Sequence, residues 1–304
     1  MKILDWIFAA RPMLHLPIWS VYLVSLKYHN DLSHGHFDWS DLWVLAGLSL
    51  LASGAYYLNQ VFDEDTDRIN NKLGFLSRGM LTQRGLMLVY TITSLAGLII
   101  GWFVASVTFG VFLQIFLLGF LYSAPPFRLK DRAIWGLLAN AWGVGFLVSF
   151  SVMPHIEFHN SGLLGWDNPY FFATAIGGIY VLTTIPDKVG DEIAGKRTLA
   201  VVIGETGAMV IGAVLLFFAA YLAFRDQFLI LGGVSMVSGA LPAFCVLAAQ
   251  PRLLRLAIKL PILLLALLTG IFYPLYLVFI LVVLLSTRLY YRRRFGVGYP
   301  SLTK

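Results

Sequence analysis

The chain has 304 residues, of which 59% are hydrophobic and only 12% are charged. Soluble domains carry roughly 25% charged residues, so the composition excludes a soluble globular protein and indicates an integral membrane protein. The net charge of +6 does not indicate a nucleic-acid partner, because the basic residues lie in short loops between apolar segments, as membrane topology requires. Cys245 is the only cysteine, which excludes an internal disulfide and a cysteine-based metal site.

The first segment, Met1 to Arg11, lacks the layout of a cleavable signal peptide, so we expect it to be retained. After it come nine apolar segments, each long enough for a helix to cross about 30 Å of hydrocarbon. No linker or shift in composition divides the chain, and we predict one all-α, polytopic membrane domain over residues 1–304. The last segment contains Pro274 and is expected to be kinked or tilted. The predicted spans are 12–28, 42–62, 86–106, 108–124, 134–153, 169–186, 206–224, 228–249 and 260–286.

The basic residues alternate between the two sides of the predicted bundle. The N-terminus and the loops after spans 2, 4, 6 and 8 hold most of the 22 Lys and Arg residues, whereas the opposite loops hold only Lys27 and Arg225. The positive-inside rule therefore places the N-terminus and the even-numbered loops in the cytoplasm. Nine spans would put the basic C-terminal tail outside, which the rule disfavours. Either earlier helices fix the orientation and the tail is tolerated, which we favour, or the spans near Pro274 are miscounted.

Four acidic residues lie within five positions just after the second span, at Asp63, Glu64, Asp65 and Asp67. Asn59, Asp63 and Asp67 are spaced i, i+4 and i+8, which keeps their side chains within about 80° on one helix face. A carboxylate-lined face that continues a transmembrane helix is unfavourable unless a cation lies against it. We therefore predict that these three residues bind a cation, with Mg²⁺ as the first candidate, and that Glu64 and Asp65 point elsewhere.

A second acidic cluster follows the sixth span, where Asp187 and Asp191 are again spaced i, i+4. The two clusters would suit two Mg²⁺ ions, because Mg²⁺ binds through one or two carboxylates, keeps several waters and completes its shell with phosphate oxygens. Basic residues in the same set of loops would hold the remaining phosphate charge. These basic residues are Lys188, Arg197, Lys130, Arg128 and Arg78.

Other interpretations of the acidic residues are weaker. Asp63, Asp65 and Asp67 match the opening of an EF-hand loop, but Arg68 stands where Gly is needed and Gly74 where a bidentate Glu is needed. A solvated acidic helix end is the general alternative, and two such clusters on the same predicted side disfavour it. A transporter would carry its ionisable residues near the membrane midplane, whereas the predicted spans contain almost none.

Three motifs occur in order along the chain. They are Asn59-x-x-x-Asp63-x-x-x-Asp67 followed by Arg68-Ile69-Asn70, then Tyr122-Ser123-Ala124-Pro125-Pro126-Phe127-Arg128-Leu129-Lys130, then Asp187-x-x-x-Asp191-x-x-x-Gly195-x-x-Thr198-Leu199. Together with the number of spans and the side of the loops, these motifs resemble the UbiA superfamily of intramembrane prenyltransferases. The resemblance implies a bundle of nine helices around a central cavity capped by the acidic loops. It also implies transfer of a prenyl group from an allylic diphosphate to an acceptor.

The resemblance further implies that Asn59, Asp63 and Asp67 bind one Mg²⁺–diphosphate group and that Asp187 and Asp191 bind the other. Two metals and nearby basic groups would neutralise the charge that builds on the departing diphosphate, so that the allylic C–O bond ionises. A dry, aromatic-lined cavity would let the acceptor capture the resulting fragment before water does. The residues implied to contact the diphosphate are Lys130, Tyr122 and Arg197.

The implied partners are a prenyl diphosphate, a hydrophobic acceptor and membrane lipid; neither a nucleic acid nor a protein partner is predicted. The acceptor class stays open between an aromatic acid or quinone precursor, a tetrapyrrole and a glycerol phosphate lipid. The segment from Gly74 to Gly79 departs from the family's Arg-Pro-x-Pro-Ser-Gly pattern, and Arg78 is a candidate to replace the missing charge. Thr184 stands where some branches carry an acid. Two alternatives remain, a terpene cyclase of the same fold and a non-catalytic or transport protein that carries a lipid.

Overall fold

The computed structural model describes residues 2–33, 36–64, 74–152, 168–250 and 253–299. Within these ranges every regular element is helical, which confirms the predicted all-α class. Two short 3-10 turns, Pro12–His15 and Leu129–Asp131, connect longer helices. The helices, numbered in chain order, are α1 Lys2–Ala9, α2 Leu16–Ser33, α3 Trp39–Phe62, α4 Gln83–Val104, α5 Ser106–Ser123, α6 Ala133–Phe150, α7 Asn168–Thr183, α8 Lys188–Ile193, α9 Leu199–Arg225, α10 Leu229–Leu247, α11 Leu254–Phe272 and α12 Pro274–Phe295.

Nine helices in the described part of the chain are long and apolar enough to cross a membrane, so the protein is a multi-pass integral membrane protein. One of the nine, Ile3–Asp31, combines most of α1 with α2. Helix α7 is not among them because its 16 residues extend only about 24 Å. It nevertheless lies antiparallel to α6, since Gly136 lies beside Tyr180 while Gly145, further along α6, lies beside Ala173.

Local sequence signals set several helix boundaries. The side chain of Asp38 caps α3 by accepting from the backbone of Asp41, whose own side chain accepts from Asp38 in return. Thr82 Oγ1 caps α4 by accepting from Gly85 N at 3.1 Å. These bonds satisfy backbone donors that have no partner inside the helix.

The predicted last span, 260–286, is wrong, because the chain forms two helices there, α11 and α12. Pro274 is the first residue of α12, a position where its missing N–H group is not needed. The helices then lie close together, since a Cβ atom added to Gly270 would be 2.2 Å from Leu277 Cδ2. This extra reversal returns the C-terminal tail to the side of the N-terminus. The interpretation that we favoured, with the tail on the opposite side, is therefore wrong.

A buried ion pair, the terminal ion pair, joins α1 to the end of α12. Arg294 Nη2 donates to Asp5 Oδ2 at 2.8 Å and Arg294 Nε donates to Asp5 Oδ1 at 3.1 Å. The Tyr290 hydroxyl also donates to Asp5. The Phe8 ring stacks on the Tyr290 ring with 4.0 Å between centroids. Because Asp5 is only 1% exposed, its charge depends on these partners for compensation.

Small residues bring the central helices together. Helices in a bilayer gain little from burying apolar surface against one another, so their association depends on close packing. A Cβ atom added to Gly178 of α7 would lie 3.0 Å from the carbonyl oxygen of Gly212 in α9. In α6 the π-helical segment Ala141–Leu147 lies against α7. This packing surrounds a cavity at the end of the bundle that carries both termini.

The helix order predicts that both termini lie on one side of the membrane. In a Cys245→Ala background, single cysteines at Gln83→Cys and Gly298→Cys should react with a membrane-impermeant maleimide from the same side of oriented vesicles. Phe37→Cys, in the connection between α2 and α3, should react only from the other side and is the control. Labelling of Gly298→Cys together with Phe37→Cys would contradict the two-helix ending.

The terminal ion pair predicts a loss of stability when its cation is removed. Arg294→Met should lower the free energy of unfolding by about 2 kcal/mol, less than for a fully buried pair because Arg294 is partly exposed. That change corresponds to a fall in Tm of roughly 4–8 °C, measurable by thermal unfolding in detergent. The exposed neighbour supplies a matched variant, Arg293→Met, which should leave Tm almost unchanged. Equal Tm values for the two variants would contradict the prediction.

Candidate active site

A polar cavity of roughly 460 Å³ opens at the end of the bundle that carries the termini. Its walls come from α2 and the 3-10 turn before it, from α3, α5, α6, α7 and α11, from the 3-10 turn Leu129–Asp131, and from α8 with its flanking loops. The acidic and basic side chains that line it are Arg11, Asp63, Lys130, Asp131, Asp187, Asp191 and Lys196. We call this space the charged cavity.

Asp63 is the buried carboxylate at the C-terminal end of α3. Its backbone N–H donates to Asn59 O at 2.9 Å, so the last helical turn directs both side chains into the charged cavity. Lys130 Nζ lies 2.6 Å from Asp63 Oδ1, and both residues are less than 9% exposed. The Asn59 amide bridges the pair when its nitrogen faces Asp63 Oδ2, at 2.7 Å, and its oxygen faces Lys130 Nζ, at 3.3 Å.

Lys130 lies on the 3-10 turn Leu129–Asp131 between α5 and α6. Burial lowers the pKa of its ammonium group, and the carboxylates of Asp63 and Asp131 oppose that shift. The acids around Lys130 thus partly offset the loss of hydration of its ammonium group. A buried lysine in such surroundings can bind an anionic ligand.

The second predicted cluster also lines the cavity, at the start of α8. Asp191 N donates to Asp187 O at 2.9 Å, which puts the two carboxylates one helical turn apart, as their spacing predicts. Asp191 is buried, whereas Asp187 is exposed at the rim. Beyond α8 the chain returns to the first cluster, because Arg197 N donates to Asp131 O at 2.9 Å. That backbone bond joins the loop after α8 to the turn that carries Lys130.

The structure brings together six of the predicted site residues. They all line the charged cavity and are Asn59, Asp63, Tyr122, Lys130, Asp187 and Asp191. Arg128 lies just behind this wall, with Nη2 3.8 Å from Asp63 Oδ1. Asp67 lies outside the described residues, so its predicted place beside Asp63 stays a prediction.

Three predicted basic residues lie off the cavity wall. The Arg197 side chain is exposed, and only its backbone takes part in joining the loops. Lys188 is not among the residues that line the cavity. Arg78 is exposed, and its guanidinium lies 5.0 Å from the centre of the Phe295 ring, next to the terminal ion pair. Arg78 therefore does not replace the missing charge of the 74–79 segment in this structure.

Three charged residues that line the cavity were not among the predicted ones, Arg11, Asp131 and Lys196. Lys196 Nζ lies 3.7 Å from Asp131 Oδ1, 3.7 Å from Asp191 Oδ1 and 4.0 Å from Asp63 Oδ1. Asp131 also accepts from Arg128 Nε at 2.6 Å. For Asp131 and Lys196 the available signal was adjacency in sequence, since Asp131 follows Lys130 and Lys196 precedes Arg197. Adjacency alone did not show that they face the same cavity.

An apolar pocket of roughly 150 Å³ adjoins the charged cavity. Its walls include Leu48, Leu51 and Val148 from the middle of the bundle. The two spaces share five wall residues, which are Ile18, Tyr56, Tyr122, Asn140 and Val144. A ligand with a charged head and an apolar tail would fit across this shared wall.

The donor set of the charged cavity fits Mg²⁺ in its phosphate-assisted mode. Among the described residues no three acidic or histidine side chains are close enough together to form a protein-only metal site. Mg²⁺ needs no such group, because one or two carboxylates, waters and phosphate oxygens complete its shell. Asp63 with Asn59, and Asp191 with Asp187, supply two such sparse carboxylate sets in the cavity wall.

Comparison with known proteins identifies a matching family and several relatives. A family model described as the UbiA prenyltransferase family matches residues 32–260. A probable homogentisate phytyltransferase 2 of Oryza sativa is 29% identical over 184 residues, which cover 56% of this chain and 47% of that protein. A lycopene elongase/hydratase of Halobacterium salinarum is 28% identical over 206 residues, which cover 66% of this chain and 71% of that protein. The chain spans about half the length of the curated relatives that it matches first, between 40% and 48%.

Among solved structures, a UbiA homologue from Archaeoglobus fulgidus bound to DMAPP and Mg²⁺ matches with a TM-score of 0.65 and 17% identity. The match covers 86% of this chain and 96% of that one. At this level of identity the likeness shows a shared fold.

The contact between α6 and α7, two helices that line the charged cavity, predicts that adding a side chain at Gly145 destabilises the protein. A Cβ atom added to Gly145 would lie 2.5 Å from Ala173 Cα and 2.6 Å from Phe172 O, and backbone atoms cannot rotate away. Gly145→Ala should therefore destabilise the protein by about 1–3 kcal/mol and lower Tm by about 5 °C. Gly110→Ala, whose added Cβ meets open space, is the control and should not lower Tm. A Gly145→Ala protein as stable as the control would contradict this packing.

Proposed function

Because the chain belongs to the UbiA prenyltransferase family, we propose that it is a Mg²⁺-dependent enzyme that transfers a prenyl group from an allylic diphosphate to a membrane-associated acceptor. Residues 1–304 would form one catalytic domain. The family assignment confirms the resemblance that the three sequence motifs carry. The acidic and basic loops would face the cytoplasm, because most basic residues of the chain lie in the loops on this side of the bundle.

The observation that carries this proposal is the shared wall between the charged cavity and the apolar pocket. An allylic diphosphate has two parts with opposite requirements, a highly charged head and an isoprenoid chain. The charged cavity suits the head, and the pocket beneath it suits the first part of the chain. The reacting carbon would then lie near the boundary between them, where Tyr56 and Tyr122 line both spaces.

Mg²⁺ would be held by Asn59 and Asp63 and by Asp187 and Asp191, with Asp67 proposed as a further ligand. When bound, it supplies positive charge that stabilises the leaving diphosphate. Lys130 contributes a fixed positive charge next to Asp63, and Arg128 adds a second within 4 Å of the same carboxylate. These cations are already oriented before the substrate arrives, so little reorganisation is needed as charge develops.

The walls around the reacting carbon would protect the carbocation-like fragment. Tyr56, Tyr122 and Tyr180 line the charged cavity, and their ring faces can stabilise positive charge. Tyr180 lies directly against Gly136, where a Cβ atom would be 2.3 Å from its hydroxyl, so its position is sterically defined. Apolar side chains such as Val144 and Ile179 complete the lining and limit the access of water.

The acceptor that we propose to test first is a phenolic one. The Oryza sativa relative is named for homogentisate, which is a phenolic acid. Another relative is named a 2-acyl-4-prenylphloroglucinol prenyltransferase, again a phenol. Lycopene and glycerol phosphate lipid acceptors are the next to test, because other relatives carry those names.

The decisive experiment uses the full chain purified into lipid nanodiscs, with prenyl diphosphates of increasing length and homogentisate as the acceptor. Mass spectrometry should detect a prenylated product, and diphosphate release should require Mg²⁺ and stop when the metal is chelated. Asp63→Asn should lower the rate at least about 100-fold, because it removes a carboxylate from the centre of the charged cavity.

Asp31→Asn is the matched control, since Asp31 pairs with Lys27 at the opposite end of α2 and should leave the rate near that of the wild type. Diphosphate release in the absence of any acceptor would indicate that the enzyme cyclises its substrate and does not transfer the prenyl group. No release with any prenyl diphosphate, from protein with a cooperative thermal transition, would contradict the proposed activity.

A further inference from the structure

One ammonium group lies at the centre of the acidic residues from three separate segments. Lys196 Nζ is within 4.0 Å of carboxylate oxygens from Asp63 at the end of α3, Asp131 in the turn before α6, and Asp191 in α8. Its side chain is only 13% exposed.

Main-chain hydrogen bonds fix the backbone of Lys196, whereas its side chain has only long ion-pair contacts. Gly195 adopts a positive φ of 70°, and Lys196 N then donates to Asp191 O at 2.9 Å. The next residue, Arg197, donates to Asp131 O at 2.9 Å. The Cα atom of Lys196 is thus placed between the two loops by main-chain bonds on both sides. The position of the ammonium group then depends only on the conformation of the flexible four-carbon side chain.

The distances separate Lys196 from its neighbour Lys130. A charge-assisted hydrogen bond between an ammonium and a carboxylate has a length of about 2.7–2.9 Å. The ion pair between Lys130 Nζ and Asp63 Oδ1 is this short, at 2.6 Å, whereas all three ion-pair distances of Lys196 are 3.7 Å or longer. Lys130 is therefore the fixed cation of the site. Lys196 is shared among three carboxylates and bonded closely to none of them.

We propose that Lys196 is a tethered counter-ion, which neutralises Asp63 and Asp191 before a divalent cation binds and then moves from these carboxylates to the phosphate oxygens of the substrate. The inference rests on the proposed function, because it takes Mg²⁺ and a diphosphate as the ligands. Mg²⁺ and the Lys196 ammonium would compete for the same carboxylates. Asp131, which is held by Arg128, would keep the lysine close to the site while it moves.

Competition for the carboxylates predicts how the loss of Lys196 changes Mg²⁺ binding in the absence of substrate. Removing a positive charge about 4 Å from the ligand oxygens should strengthen Mg²⁺ binding, because the carboxylates lose their internal competitor. A lysine whose charge does not act on the metal ligands would leave the affinity for Mg²⁺ alone unchanged. A lysine that helps to build the metal site would weaken Mg²⁺ binding when it is lost.

The test measures Mg²⁺ binding to the full chain in nanodiscs by titration calorimetry, with no prenyl substrate present. Lys196→Gln should lower the Kd for Mg²⁺ by about tenfold and should enlarge the Mg²⁺-induced rise in Tm. Lys196→Arg keeps the charge and should bind Mg²⁺ as the wild type does. Lys188→Gln, a lysine eight residues earlier that does not line the charged cavity, is the matched control and should also bind as the wild type does. An unchanged or higher Kd for Lys196→Gln would overturn the proposal.

A second measurement uses the wild-type protein and does not depend on any variant folding. Lysine acetylation by acetic anhydride, read at each site by peptide mass spectrometry, should be faster at Lys196 when Mg²⁺ is added, because the displaced side chain becomes accessible and its deprotonated amine fraction can attack the anhydride, releasing acetate. Addition of inorganic diphosphate with Mg²⁺ should slow it again, and Lys188 serves as the internal reference. A rate at Lys196 that Mg²⁺ leaves unchanged or decreases would overturn the proposal. Neither measurement requires turnover, so failure to detect prenyl transfer would not be confused with failure of this inference.

Discussion

The structure depends on mutual compensation of charges that are buried at one end of an otherwise apolar bundle. Asp63 and Lys130 are both less than 9% exposed and lie 2.6 Å apart. Neither charge is favourable alone in such surroundings, because the loss of hydration exceeds what neighbouring dipoles return. Each is retained because the other is present. The loss of hydration that these charges suffer is consistent with a site that binds and releases a highly charged ligand.

This compensation requires three stretches of chain that are far apart in sequence to meet. The end of α3, the turn before α6 and the loop around α8 converge through the backbone bond between Arg197 and Asp131 as well as through side chains. The helices that carry these segments are brought together by small residues, as at Gly178 and Gly212, which allow backbones to approach closely. Packing in the membrane and chemistry at its surface are therefore coupled, since a change in helix spacing would separate the charges.

The terminal ion pair extends the same principle to the edge of the bundle. Asp5 and Arg294 compensate each other between the first and last helices, next to Phe75 from the segment that follows the first acidic motif. Arg78 packs on Phe295 in this cluster, so the segment that departs from the family pattern is engaged with the termini rather than with the charged cavity. The altered segment thus packs against the termini, while Arg11, Lys130 and Lys196 line the cavity and Arg128 lies close to Asp63.

The sequence by itself determined the membrane class, most helices and the two acidic motifs. These features are local: hydrophobic length specifies a span, and i, i+4 spacing places Asn59 with Asp63, and Asp187 with Asp191, on one helical turn. Only the tertiary structure decided that Asp131 and Lys196 join the site, that Arg78 does not, and that the last span is two helices. The physical reason is that charge pairing and helix reversal depend on contacts between distant segments. A basic residue in the correct loop has the same local sequence signal whether its side chain faces the cavity, the solvent or an aromatic ring.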